Sequence, residues 1–269
     1  MKRQKVLSAI LKIRFNRMKK AFYIFIAFVI PSVCFGAENM QALFAGANAS
    51  YAKGQYQEAV KAYQKIIDAG YQSAALYFNM GNASYKNGDV PSALLYYEKA
   101  HKLSPGDDDI NFNIKFANLK TTDKIDEAPE FFVTKWWRGF ILGISANALG
   151  WLSVLLVLVA SGVLILYFFT TSVSVKKASF YGAMLFFIFG IFAVFIAVMQ
   201  VNYFSGHREA IVFSPSVTVK SGPVEKAGPL FVIHEGTKVN VLDDNNGWLK
   251  IKLANGSEGW IKNGDAREI

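Results

Sequence analysis

Three histidines, His101, His207 and His234, and one cysteine, Cys34, are the side chains of this chain best suited to acid–base, nucleophilic or metal chemistry. None is spaced for it. His234 stands beside Glu235 but lacks the second histidine a zinc site needs. No HExxH, phosphate loop, GxSxG or cysteine–histidine pair occurs in the 269 residues. Cys34 lies in a stretch read below as an export signal, so a mature chain would have no thiol nucleophile, no internal disulfide and no thiolate metal ligand. The expectation is a protein that is not an enzyme, with no catalytic residues, no metal and no cofactor.

A polar pair placed one repeat apart is the more telling pattern. A shift of 34 residues lays Asn48 on Asn82, Gly54 on Gly88, Ala59 on Ala93 and Tyr63 on Tyr97, an internal repeat. Each copy reads as a helix, a turn (Lys53-Gly54-Gln55 or Asn87-Gly88-Asp89) and a second helix with apolar positions three and four apart. Small residues at Ala47 or Gly81 and at Ala59 or Ala93 let the paired helices approach, with Gly81 at a crossing that has no room for a larger side chain. Asp89 can cap a helix whose first turn tolerates Pro91. Two such hairpins bury too little to stand alone. Residues 107–125, with Ile110, Ile114, Ala117 and Leu119 at helical spacing after a run of acids, should therefore supply a capping helix.

These residues resemble the tetratricopeptide family. Tyr77, Met80, Gly81, Gly88, Ala93, Tyr97, Ala100 and Pro105 fall at its signature spacings, and Leu43, Ala47, Gly54, Ala59, Tyr63 and Ile66 form a weaker first copy. The resemblance implies a groove lined by Phe44, Asn48 and Tyr51 in one copy and by Phe78, Asn82, Tyr85 and Lys86 in the other. Asn48 and Asn82 would bond the backbone of a bound peptide, and Tyr51, Phe78 and Tyr85 would supply apolar contact. The carboxylate-gripping variety of the family needs a lysine where Phe44 stands and basic residues where Asp109 and Asn113 stand, so that subtype is not expected.

The elements that hold these repeats in place are apolar. The chain is 52% hydrophobic, and residues 1–36 carry eight basic residues and no acid, leaving the rest close to neutral. The basic character therefore belongs to one end and not to a nucleic-acid surface. That end, followed by "AFYIFIAFVI" and small residues at Gly36 and Ala37, reads as a secretory signal over residues 1–37. Translation from Met18 would give a signal of ordinary length, and a basic amphipathic helix on the membrane surface is the other reading. No charge occurs between Arg138 and Lys176 or from Ala178 to Phe204, which predicts a transmembrane hairpin over 141–204. Lys176 and Lys177 in its short loop favour the cytoplasm, so the flanking parts should both be exported. Trp136 and Trp137, with Phe131, Phe132 and Phe140 in a juxtamembrane linker over 123–140, fit the membrane interface.

From Ala210 the pattern changes to alternation and tight turns, with Asn255-Gly256 as a hairpin signal. Val219 to Pro223, Glu235-Gly236-Thr237, Gly247-Trp248 and Gly259-Trp260-Ile261 resemble bacterial SH3-like domains over 206–269, which implies a barrel of five or six strands. Of Trp248, Trp260, Phe213 and Phe231, at least two are expected in its core. The fold class is thus a multidomain membrane protein. It joins all-α tetratricopeptide hairpins over 38–122, a two-helix transmembrane hairpin and a small all-β SH3-like barrel.

The order of parts, and the text "DKIDEAPEFFVTKWWR" above all, is similar to the BatE family of the Bacteroides aerotolerance operon. That resemblance implies an inner-membrane scaffold with periplasmic domains, working beside von Willebrand A-type membrane proteins and a MoxR-type ATPase in envelope or stress tolerance. A cell-wall anchor that holds peptidoglycan through the SH3-like domain is the second reading.

Overall fold

The computed structural model describes residues 37–126 and 128–269. Apart from Ala37, the expected signal lies outside the described residues. Four helices, α1 (Ala37–Ala52), α2 (Tyr56–Asp68), α3 (Ala74–Lys86) and α4 (Val90–Leu103), form two helical hairpins, and α5 (Asp108–Asn118) follows them. Gly54 and Gly88 turn the two copies with φ of 77° and 87°, a backbone that side chains rarely adopt. Asp89 accepts from the Ser92 N–H at the start of α4, as expected of a cap. Ala47, Ala59, Tyr63, Ile66, Met80 and Ala83 make the core between the hairpins. A Cβ on Gly81 would lie 2.5 Å from the Tyr97 ring, so the crossing is as tight as its sequence implied. In α5, Ile110 and Ala117 are buried, but Leu119 is 70% exposed because the helix ends at it instead of presenting it inward.

The juxtamembrane linker contains a helix of its own, α6 (Phe132–Leu142). After it run α7 (Ala146–Phe169) and α8 (Val173–Gly206), which start later and end later than the expected 141–204. Both are long and apolar enough to cross a membrane, with mean hydropathy 2.7. They meet through small residues, Ser153, Ala160, Ala183, Gly190 and Ala193, and turn bulky ones such as Leu155, Leu158, Ile191 and Phe195 outward. Gln200, 1% exposed, donates Nε2 to the carbonyls of Ile141 and Ile144 at 2.9 Å each. It thereby satisfies acceptors freed where the chain breaks between α6 and α7.

Seven antiparallel strands complete the described residues: β1 (Glu209–Val212), β2 (Ser216–Lys220), β3 (Pro229–His234), β4 (Lys238–Asn245), β5 (Trp248–Lys252), β6 (Glu258–Lys262) and β7 (Ala266–Glu268). Their order is β3-β2-β6-β5-β4-β1-β7. The count exceeds the expected five or six because the last residues form β7 on β1. The tight two-residue turn falls at Asn246-Gly247, both at positive φ, between the paired Asn245 and Trp248. At Asn255-Gly256 only the glycine adopts positive φ, in a longer loop closed by the Gly256 N–H on the Leu253 carbonyl.

The two globular modules are packed together. Ile211, Phe213 and Ile269 of the sheet join Leu94, Leu95 and Tyr97 of the repeats in one apolar cluster. Beside it Lys238 Nζ sits between Glu98 and Glu209 at 2.9 and 3.0 Å. Burial opposes its charge, yet the two carboxylates hold its pKa above the ordinary lysine value. The start of the linker straps the modules: Asp123 accepts from the backbone N–H of His234 and from Thr237 Oγ1 and pairs with His234 Nδ1, Ile125 packs against the barrel core, and the Ala128 N–H bonds the Ala254 carbonyl. His101 meets the Phe204 ring near the end of α8, and a Cβ on Gly106 would strike the Gly143 carbonyl before α7. Both modules therefore stand at the same end of the apolar hairpin.

Candidate functional site

A cleft of about 180 Å³ opens on the repeats, lined by Asn48, Tyr51, Tyr63, Asn79 and Asn82. Helices α1 and α3 place the asparagines, because positions 48 and 82 are equivalent in the two copies. Asn48 Oδ1 accepts from Tyr63 Oη and from Asn79 Nδ2 at 3.0 Å. One repeat later Asn82 Oδ1 accepts from Tyr97 Oη at 2.8 Å and Asn113 Nδ2 at 2.9 Å. The ladder ties each hairpin internally and to the next helix. Burial pushes the Tyr63 phenol up to about 12 and raises that of Tyr97, so both remain protonated donors at neutral pH.

The ladder uses each carbonyl oxygen of Asn48 and Asn82 twice and leaves their Nδ2 donors over. Asn79 and Asn113 spend a donor and keep Oδ1. Among the described residues the remaining groups alternate donor, acceptor, donor, acceptor in chain order: Asn48 Nδ2, Asn79 Oδ1, Asn82 Nδ2 and Asn113 Oδ1.

Of the residues expected in the groove, the cleft gathers Asn48, Tyr51 and Asn82. Phe44 packs on Tyr63 and Phe78 on Tyr97, with ring centroids 5.8 and 5.9 Å apart, and both are half-buried at the edge of the core. Tyr85 lies against Phe116 of α5, 5.5 Å away, and Lys86 is exposed in the last turn of α3. Asn79 completes the ladder without having been singled out, and Tyr63 and Asn113, named above for other reasons, were not expected to bond there. Their signal was available, since the 34-residue shift that lays Tyr63 on Tyr97 also lays Asn79 on Asn113.

Trp136 and Trp137 stack with Phe140 on α6, and Phe131 and Phe132 beside them are the most exposed aromatics of that stretch, at 87% and 79%. The barrel core departs from expectation. It is aliphatic, built on Val212, Val217, Val219, Ile233, Leu249, Ile251 and Ile261, with Phe231 packed against it. Phe213 faces the repeats, and Trp248 and Trp260 lie on the outer face, because alternation along β5 and β6 assigns the inward positions to Leu249, Ile251, Gly259 and Ile261. Gly259 is required there: a Cβ would collide with Val219.

Residues 44–108 match the model of the tetratricopeptide repeat, and residues 215–266 match that of the bacterial SH3 domain. No curated protein matches the chain. Among solved structures it is similar to an NlpC/P60 family protein from Bacillus cereus ATCC 10987, at 18% identity over 26% of this chain, with a TM-score of 0.20. The match spans 23% of that protein's chain. It is also similar to the C-terminal SH3 domain of myosin IB from Entamoeba histolytica, at 25% identity over 23% of this chain and 93% of that one, with a TM-score of 0.18.

Proposed function

We propose that this protein is a membrane-anchored scaffold, without catalytic activity, whose repeat cleft grips an extended segment of a protein partner. The observation that carries this reading is the alternating ladder of Asn48, Asn79, Asn82 and Asn113, which suits a peptide backbone whatever its sequence. The apolar helices α7 and α8 serve as the anchor. Because both modules stand at one end of that hairpin, they share one side of the membrane. The signal over residues 1–37 and the lysines at 176 and 177 assign that side to the periplasm of a bacterial inner membrane. A cleft this short gives modest affinity, and confinement of both partners to the bilayer raises their effective concentration. The resemblance of the sequence to the BatE family supports von Willebrand A-type membrane proteins and a MoxR-type ATPase as the partners in this reading, with a role in envelope or stress tolerance.

Asparagine-to-aspartate changes test this cleanly. Asn48→Asp with Asn82→Asp keeps the acceptors that Tyr63 and Tyr97 need and replaces the outward donors. Crosslinking in native membranes should lose the partner in this variant while helicity is retained. Unchanged partner capture by the folded variant would remove the cleft as the binding surface. Alanine would be a poorer choice at position 82, since it strips the buried Tyr97 hydroxyl of its acceptor.

The second reading, a cell-wall anchor, draws on the outward tryptophans of the SH3-like module. Sedimentation of the protein with purified sacculi, compared with Trp248→Ala, tests it.

A further inference from the structure

The outer face of β2, β6 and β5 carries Lys220, Trp260, Lys262, Trp248, Lys250 and Lys252, all on the side opposite the aliphatic core. Cross-strand pairing sets Trp248 opposite Lys262, and Trp260 between Lys220 and Lys250. The ammonium groups of Lys220 and Lys262 stand 5.3 and 6.0 Å from the centre of the Trp248 ring. They converge on one carboxylate, that of Glu225 in the loop between β2 and β3: Lys220 Nζ lies 2.9 Å from Oε2, and Lys262 pairs with Oε1. Lys250 and Lys252 share Glu258 in the same manner. Four lysines thus face two acids, and the surplus is positive.

Glu225 shows what chemistry this face accepts. Hydrogen bonds from Lys220 and Lys262 hold its carboxyl down at about 2, far below the usual range. Yet its side chain is 64% exposed and belongs to a loop without regular structure, so another carboxylate can displace it at little cost. Apolar residues of the neighbouring loop and strand, Val224 and Val232, are about half exposed, and Val232 pairs with the outward Thr218 of β2 beside the lysines.

We infer that the Trp248–Lys220–Lys262 face is a binding site for an acidic, extended segment of a partner protein, occupied in this structure by the chain's own Glu225. A carboxylate of the partner replaces Glu225 between the two ammonium groups, and the segment runs across the indoles of Trp248 and Trp260 toward Lys250 and Lys252. The positive surplus selects acidic segments, and each lysine held over an indole face gains from the ring quadrupole. This site rests on the SH3-like module alone and is independent of the repeat cleft.

The test uses the full chain in phosphatidylcholine nanodiscs and a fluorescein-labelled, capped octapeptide of alternating Glu and Gly, read by fluorescence anisotropy. Lys220→Gln with Lys262→Gln should weaken binding at least tenfold. Trp248→Ala should weaken it about fivefold. Glu225→Gln should tighten it about threefold, because the internal competitor is removed, whereas a general attraction between a basic protein and an acidic peptide would change little. Asn48→Asp with Asn82→Asp should leave it unchanged, which separates this site from the cleft. An affinity unmoved by either the lysine pair or Glu225→Gln would overturn the proposal. So would a protein that ignores the peptide yet sediments with purified sacculi through Lys220 and Lys262, since the ligand carboxylate would then be that of the cell wall.

Discussion

The two repeats share a 34-residue template, and four positions at which the second departs from the first lie where it meets other parts of the molecule. Val60, Gln64, Ile67 and Asp68 of α2 become Leu94, Glu98, His101 and Lys102 of α4. In α2, Gln64 bonds Asp68 and the Tyr96 hydroxyl, near the surface. In α4, Leu94 enters the cluster shared with the sheet, Glu98 holds Lys238, His101 meets Phe204, and Lys102 donates to the Ile269 carbonyl. Three residues of α2 are buried, against seven of α4. The second copy is the joint of the molecule, and the first keeps a freer surface beside the cleft.

Substitutions at matched positions should separate the two copies, read as local opening by hydrogen exchange on the full chain in nanodiscs. The largest effect is expected from Gly81→Leu, which drives a side chain into the Tyr97 ring and should cost about 3 kcal/mol, the upper part of the overpacking range. Its counterpart Ala47→Gly only removes a methyl and should cost about 1 kcal/mol. Protection in α4 that is equal in both variants would contradict the tighter crossing of the second copy.

Glu98→Ala comes next. It leaves Lys238 with Glu209 alone and should loosen the joint by about 2 kcal/mol, less than a fully buried pair because Lys238 is partly solvated. Exchange should then rise in β1 and β4 as well as in α4. Gln64→Ala at the matching position should move α2 alone, by under about 1 kcal/mol. An effect of Glu98→Ala confined to the repeats would refute the joint.

Tyr97→Phe and Tyr63→Phe each delete one hydrogen bond to an asparagine that keeps a second partner, so each should cost about 1 kcal/mol. Equal values would support one ladder repeated. A Tyr63→Phe cost near zero would mean that the first rung is not formed.

The smallest effect concerns pH. Burial lowers the pKa of His101 below its ordinary 6.5, and its Nδ1 has no hydrogen-bond partner among the described residues. The folded state therefore favours neutral imidazole, and the stability it contributes is present above about pH 6.5 and is lost as pH falls below it. Exchange at the joint should rise by up to about 1 kcal/mol of local opening between pH 7 and 5.5, and His101→Phe should abolish the rise. Asp123, whose carboxyl is lowered by its bonds to Thr237 and His234 against the opposing effect of burial, titrates below that window.

The sequence by itself determined whatever depends on local periodicity and backbone freedom. The 34-residue shift sets the hairpins and their glycine turns. The uncharged stretches set the two long helices, and alternation of inward and outward residues sets the strands. These signals are written within a few residues of one another and need no distant partner to be read. Only the tertiary structure decided which faces are used up. Phe44 and Phe78 lose part of their exposure because the tyrosines of the following helix pack on them. Trp248 and Trp260 stay outside because aliphatic side chains already fill so small a barrel. Asp123 and Ile125, which lie in apparent linker text, become a strap because the barrel lies within their reach. Glu98 and Lys238 are 140 residues apart. No local pattern joins them, and only packing of the sheet on α4 brings the charges together.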